Sequence, residues 1–201
     1  MLKTAESVEE LDEQRELFAF YIPSISVMFG FDQQNHAHQY DLWNHCLHTV
    51  LNMDRKSVND TMLYLAALLH DIGKPDSQCR GKREDDTNMH YYGHPQRSME
   101  IVRDCVVPIL LEKGVQLSKD EQRRLLYYVE YHDDRVSLRQ KHLRRHLQIA
   151  SLEEFKNLMY LQAADAKAHV MLPVIEERIR ICETWVYGYA GELFNTIFQE
   201  N

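Results

Sequence analysis

The stretch MLYLAALLHDIGKP, residues 62–75, sets an imidazole and a carboxylate side by side. His70 and Asp71 close a strongly apolar run, and the helix breakers Gly73 and Pro75 follow. Adjacent residues on a regular helix point about 100° apart, as a 3.6-residue turn requires, so such a pair shares a ligand more easily at a helix end. A buried carboxylate is costly unless a proton, a hydrogen bond or a metal compensates it. Alone, the pair is equally explained as a helix C-terminal cap. It has partners, however. His45 lies in DLWNHCLHTV among core-type residues, and Asp165 lies in LQAADAKAH among Ala163, Ala164, Ala166 and Ala168, whose small side chains let helices approach closely. Two imidazoles and two carboxylates together suit a borderline divalent ion such as Zn, Mn, Fe, Co or Ni.

The elements that must position these residues are helical. Apolar residues recur at three- and four-residue spacing, as in Leu42, Trp43, Cys46, Leu47, Val50 and Leu51, and in Ile101, Val102, Cys105 and Val106. Capping boxes at Ser118/Glu121 and Ser151/Glu154 mark two helix starts. The spacing predicts helices over 7–20, 40–53, 58–71, 94–112, 118–131, 137–148, 151–168 and 171–197. Pro108 and Pro173 are expected to kink or start helices. The polar stretch 76–92 reads as an exposed loop, and strand signals are weak. The expected fold is an all-α bundle in one domain, with the motif-bearing core at about 38–168 and terminal helices packed on it. Trp185, Tyr187 and Tyr189 make the last helix aromatic enough to pack back on the bundle or on another subunit.

The order His45, His70-Asp71, Asp165 on successive helices resembles the HD-domain superfamily of metal-dependent phosphohydrolases. LLHDIGKP and YYGHPQRSMEI sharpen this, being similar to the HD domain that accompanies the nucleotidyltransferase domain of bacterial tRNA CCA-adding enzymes and occurs in related stand-alone proteins. A 201-residue chain has no room for that second domain, so nucleotide addition is not expected. With His94 in YYGHP and His132 in LLYYVEYH, the pattern also resembles the dinuclear members of the superfamily. The resemblance then implies that Asp71 bridges two ions, that His45, His70 and Asp165 complete the first, and that His94 and His132 belong to the second. A mononuclear site, with these two His binding phosphate or shuttling a proton, is the alternative. One or two divalent ions are implied, Mg joining the metals named above. A water between two such ions is a nucleophile at neutral pH.

Lys74, next to the pair, reads as a phosphate clamp that stabilises charge during catalysis, or else as a cation at a helix C-terminus. Arg97, three residues after His94, could hold a second phosphate oxygen; a surface ion pair explains it equally well. His48 reads as a packing residue; His36 and His38 read as part of a solvated loop, with lining of the site's mouth as the alternative, and His90 is ambiguous beside the active-site loop. His142, His146 and His169 read as ordinary surface or partly buried residues. Tyr91 and Tyr92 could stack on a base. The basic run Arg135, Arg139, Lys141, Arg144 and Arg145 reads as a solvated face, with contact to a nucleic acid or polyphosphate as the alternative.

Composition narrows the function. With 23 Lys plus Arg against 31 Asp plus Glu, the net charge of −8 opposes non-specific binding to nucleic acid or anionic membrane. The longest apolar run is too short to cross a bilayer, and the N-terminus is polar and acidic, unlike a signal peptide. Cys46, Cys79, Cys105 and Cys182 form no CxxC pair; Cys46 and Cys105 read as buried thiols, and a reducing cytoplasm is expected. The leading expectation is hydrolysis of a phosphomonoester or phosphodiester, a nucleotide or an RNA end, so that the partner is a small phosphorylated substrate. An HD-type di-iron oxygenase and a non-catalytic nucleotide-sensing module are the alternatives. Substrate, metal identity and oligomeric state stay open.

Overall fold

Residues 1–188 are described by a computed structural model. Their order is α1 (Val8–Asp12), α2 (Arg15–Tyr21), a 3₁₀ turn (Pro23–Met28), α3 (Leu42–Leu51), α4 (Thr61–Leu69) and α5 (Lys74–Ser77). A short hairpin β1 (Cys79–Arg80) and β2 (Met89–His90) follows, then α6 (His94–Ile101), a π turn (Val102–Val106) and α7 (Val107–Glu112). The chain continues through α8 (Lys119–Tyr131), α9 (Gln140–His146), α10 (Leu152–Lys167) and α11 (Pro173–Glu183), which runs into a second π turn (Thr184–Gly188). The all-α expectation holds; the antiparallel hairpin pairs only Cys79 with His90 and Arg80 with Met89.

Helix α4 is apolar on nearly every side, and a helix of that kind must be surrounded. It packs against α3, α8 and α10. Leu63, Leu68 and Leu69 are fully buried, each contributing roughly 1.5–3 kcal/mol by leaving water. Asp60 caps its start, accepting from the Met62 N–H at 3.0 Å, and is itself held by Arg124 and the Tyr128 hydroxyl. Both expected capping boxes are present, at Ser118/Glu121 and Ser151/Glu154.

Four expectations are corrected. The helix read over 7–20 is two, because the chain turns after Asp12 so that its carboxylate can accept from Trp43 Nε1 at 2.6 Å and pair with Arg15. The helix read over 94–112 contains the π turn. Pro108 has no N–H and its ring crowds the preceding carbonyl, and a wider turn before it relieves both. That wider turn rotates Cys105 off the apolar stripe, so Cys105 is exposed while Cys46 is buried. Within the stretch read as loop, residues 76–92, the hairpin and the end of α5 are ordered secondary structure. Pro173 opens α11, as expected. Trp185 returns to the bundle, its ring edge-on to Phe155 at 5.3 Å; Tyr189 and the rest of the helix read to 197 lie outside the described residues. No helix among the described residues is long and apolar enough to cross a membrane.

Candidate metal centre

Each chemistry-bearing residue stands at a helix end or on a buried helix face. His45 is on the inner face of α3 and fully buried. His70 closes α4, and Asp71 begins the turn after it. Asp165 is in the last turns of α10, buried among its alanines. His94 opens α6 after Gly93, whose φ of 79° is a left-handed conformation that glycine adopts without penalty. His132 closes α8.

Gly73 locks two of these elements together. A Cβ there would lie 2.5 Å from the Ser98 nitrogen and 2.9 Å from the His94 carbonyl oxygen, so only glycine lets the turn after Asp71 touch α6. Its N–H donates to Ser98 Oγ at 2.9 Å. This contact brings His94 beside Asp71.

The Asp71 carboxylate divides its two oxygens. Oδ2 lies 3.4 Å from His45 Nε2 and 3.2 Å from His70 Nε2, whereas Oδ1 lies 3.1 Å from His94 Nε2 and 3.4 Å from His132 Nε2. Asp165 Oδ1 completes the first side, 3.0 Å from His45 Nε2 and 3.6 Å from His70 Nε2. Two donor groups result, His45–His70–Asp165 and Asp71–His94–His132, with Asp71 between them.

The donor atoms lack other work. His45 Nε2, His70 Nε2, Asp71 Oδ1 and Asp165 Oδ1 are buried without a hydrogen-bond partner. His70, His94 and His132 each spend Nδ1 on a backbone carbonyl, of Ala67, Tyr91 and Val129, at 2.9, 2.8 and 2.7 Å. That directs each Nε2 inward, the orientation that metal-bound histidines take, and a bound metal would replace any proton carried there. Buried polar atoms left unpaired in this way are expensive, and divalent ions on the two donor groups would satisfy them. The residues therefore fit the metal that the sequence pattern implies.

A family model described as HD domain matches residues 42–168. The chain belongs to the HD domain family. Its members are generally metal-dependent hydrolases that bind divalent metals. This HD domain is also similar to the CC-adding tRNA nucleotidyltransferase of Thermus thermophilus, with 28% identity over 153 residues, 76% of this chain and 33% of that protein. The chain thus spans about a third of the length of that relative. No solved structure matches it.

Electrostatics shape the HD pocket. Burial alone would raise the Asp71 carboxyl, but the Lys74 ammonium and His70 overcome it and hold it well below the carboxylate range. Asp165 is likewise lowered against the effect of burial, through His169, His45 and His70. His70 is pushed well above the ordinary imidazole value; burial opposes this, and Asp71 outweighs it. His132 moves down, chiefly through burial. Lys74 is buried, its Nζ 2.7 Å from Asp71 Oδ2 and donating to Gln33 Oε1 at 2.8 Å.

Above the donors opens a cavity of about 420 Å³, lined by Lys74, His94, His132, Asp165, Tyr92 and Arg178 among others. Arg97 does not line it: its side chain is exposed and pairs with Asp76 at 2.7 Å and Glu100 at 3.5 Å. His48 stacks on Tyr40 at 3.9 Å, a packing role. His36 contacts Asn88, and His90 pairs with Asp86 and stacks on Tyr92. Tyr91 is held by its hydroxyl, which donates to the Gln33 carbonyl, whereas Tyr92 is exposed at the mouth.

Several residues are placed otherwise than expected. His142 and His146 are buried, because α9 turns that face onto Phe155. His38 and His169 line the cavity, His38 through a backbone bridge to His169 that holds its loop against the end of α10. For His169 a signal existed: it follows Asp165 by four residues, one helical turn. Gln33 and Arg178 were not anticipated. Arg178 donates to the His132 carbonyl and pairs with Asp133, both at 2.8 Å. Arg135, Arg139 and Lys141 are exposed around a separate surface cleft, away from the donor groups.

Proposed function

We propose that this HD domain is a phosphohydrolase acting on a phosphomonoester or phosphodiester, with a nucleotide or an RNA end as substrate. The observation that carries the reading is the divided Asp71 carboxylate, which has a histidine-rich donor group on each side and stands at the floor of a cavity. Two divalent ions, when bound there, supply an activated water and charge neutralisation for a phosphate undergoing in-line attack.

The chain's own residues do the rest. Asp71 and Asp165, held ionised within the cluster, supply the two negative charges that draw cations in. The Nδ1 hydrogen bonds of His70, His94 and His132 keep the rings from turning. Lys74 places a positive charge beside the reacting centre, where it faces a phosphate oxygen. Arg178 fixes the His132 end of α8 by gripping its carbonyl. Tyr92, exposed at the rim, offers a face on which a base can stack. The cavity volume suits a small ligand. The similarity to a tRNA nucleotidyltransferase supports an RNA end among nucleotide substrates, while the net charge of −8 opposes extensive contacts with a polynucleotide.

The test is a panel of phosphate esters, including mononucleotides and short RNAs with 3′- or cyclic phosphates, run with Mn²⁺ or Co²⁺ under nitrogen. Phosphate release is expected. No hydrolysis of any ester, together with O₂ uptake by the iron-loaded protein, would instead identify an oxygenase.

A further inference from the structure

His169 belongs to neither donor group facing Asp71, yet it is prepared as their histidines are. Its Nδ1 donates to the Asp165 carbonyl at 2.9 Å, leaving Nε2 as the lone pair. A backbone bridge sets His38 beside it. Val170 N–H donates to Ala37 O at 2.9 Å, Gln39 Nε2 reaches His169 O at 3.3 Å, and the two rings lie 4.5 Å apart. His38 makes no side-chain hydrogen bond among the described residues, and its Nδ1 is buried. His38, His45 and His169 each bring a ligand atom to within 4.8 Å of the others. Both outer histidines line the same cavity as Asp71 and Asp165.

We propose that His38 and His169 hold a third divalent cation, next to His45 and on the cavity side of the dinuclear centre, and that it binds together with a phosphate group. This rests on the two-ion reading of the same pocket. Imidazole suits the borderline divalent ions, but two imidazoles are too few ligands to retain one unaided. Charge points the same way. Asp71 and Asp165 are the carboxylates of the centre, and three ions would set six positive charges against two. A phosphate supplies both the missing negative charge and the missing oxygen ligands. The third cation and phosphate therefore promote each other's binding, as reciprocal linkage requires.

Equilibrium dialysis of the chelated full-length chain against Co²⁺, with and without inorganic phosphate, tests this. The expected counts are two ions per chain without phosphate and three with it. The His38→Ala, His169→Ala variant should bind two in both conditions, and the two retained ions show that its fold and inner centre are intact. A wild-type count that stays at two with phosphate overturns the third site. So does a double variant that still reaches three. A double variant that drops below two without phosphate also overturns it, by making these histidines ligands of the first ion. If phosphate instead binds the wild type more tightly than the variant at equal metal counts, the imidazoles contact phosphate directly and the third cation is again rejected. Failure of the two-ion reading is separate: it shows as a wild-type count below two in the phosphate-free arm.

Discussion

His94 Nε2 and His132 Nε2 face each other at 3.2 Å, and each ring commits its Nδ1 to a backbone carbonyl. Both inward nitrogens are then lone pairs, and Asp71 Oδ1 adds a third electron-rich atom within 3.4 Å of each. Such an arrangement is repulsive until a proton or a metal ion occupies it. His45, His70 and Asp165 gather at the other oxygen of Asp71, so two donor groups that could each hold a cation share one carboxylate.

The second position should be separable from the first. A His94→Ala, His132→Ala variant is expected to fall from two ions per chain to one. Its hydrolysis should drop by roughly 100-fold or more, since even the outer partners of metal ligands are worth 10–100-fold. Elemental analysis of the protein after metal loading and desalting checks the count. A wild-type chain that carries a single ion under the same loading would leave only the mononuclear reading.

Asp71→Ala removes the shared ligand and should abolish both ions together with activity. Thermal unfolding gives an independent readout. A ligand that binds only the folded state at about 100 times its Kd stabilises it by about 2.7 kcal/mol, so added Mn²⁺ should raise the wild-type melting temperature. It should leave that of Asp71→Ala unchanged, and a shift of equal size in the variant would remove Asp71 from the ligand set.

Gly73→Ala should show how tightly the two halves of the site are tied. The added Cβ meets backbone atoms of α6, which cannot move aside as a flexible side chain can. Overpacking of this kind costs roughly 1–3 kcal/mol, and relief requires α6, and His94 with it, to back away. Urea unfolding should show that loss, and metal analysis should show the second ion lost before the first. Wild-type stability and two retained ions would mean that the turn accommodates a side chain.

The HDIGKP segment was legible because it joins two local signals, an apolar helix and a sharp stop, and its glycine has a steric reason to be there. His45 and Asp165 were legible for a similar reason: polar residues on apolar stripes must be compensated. Gln33, His38 and Arg178 carried no such signal. Gln33 and His38 lie in a polar loop and Arg178 on a helix with alternating charge, where polar residues need no explanation. Only tertiary contacts bring them to the cavity: the Lys74–Gln33 hydrogen bond, the His38–His169 bridge and the Arg178–His132 carbonyl bond. Cys105 misled because a three- and four-residue period assumes an α-helix, and the π turn breaks that assumption.

Lys74 separates substrate chemistry from metal binding. Lys74→Ala should keep its ions, because the histidines and carboxylates that hold them stay in place. Its turnover should fall by about 10²–10³, the usual cost of losing one charge-stabilising donor. Arg97→Ala, which breaks a surface ion pair, should leave both turnover and metal content unchanged and alter stability by no more than about 0.5 kcal/mol. Equal losses in the two variants would move Arg97 into the site.

Acid should weaken the fold through α9, apart from any metal. Burial lowers His142 and His146 to about 4, with His146 also adding to the shift of His142 and Arg145 to that of His146. In the unfolded chain both return to the ordinary value near 6.5. Between these limits the unfolded state binds more protons, so stability is full above about pH 6.5 and declines as the pH falls toward 4. At pH 5 the loss is about 2 kcal/mol for each histidine. Gln at both positions keeps polar atoms near Tyr127 and Asp134, which hydrogen-bond His146, but cannot titrate. Urea unfolding of the chelated wild type and of the His142→Gln, His146→Gln variant at pH 7.5 and pH 5 compares the two. The wild type should lose roughly 2–4 kcal/mol more than the variant between those pH values. Identical losses would assign the acid sensitivity to other groups, the carboxylates of the metal centre first among them.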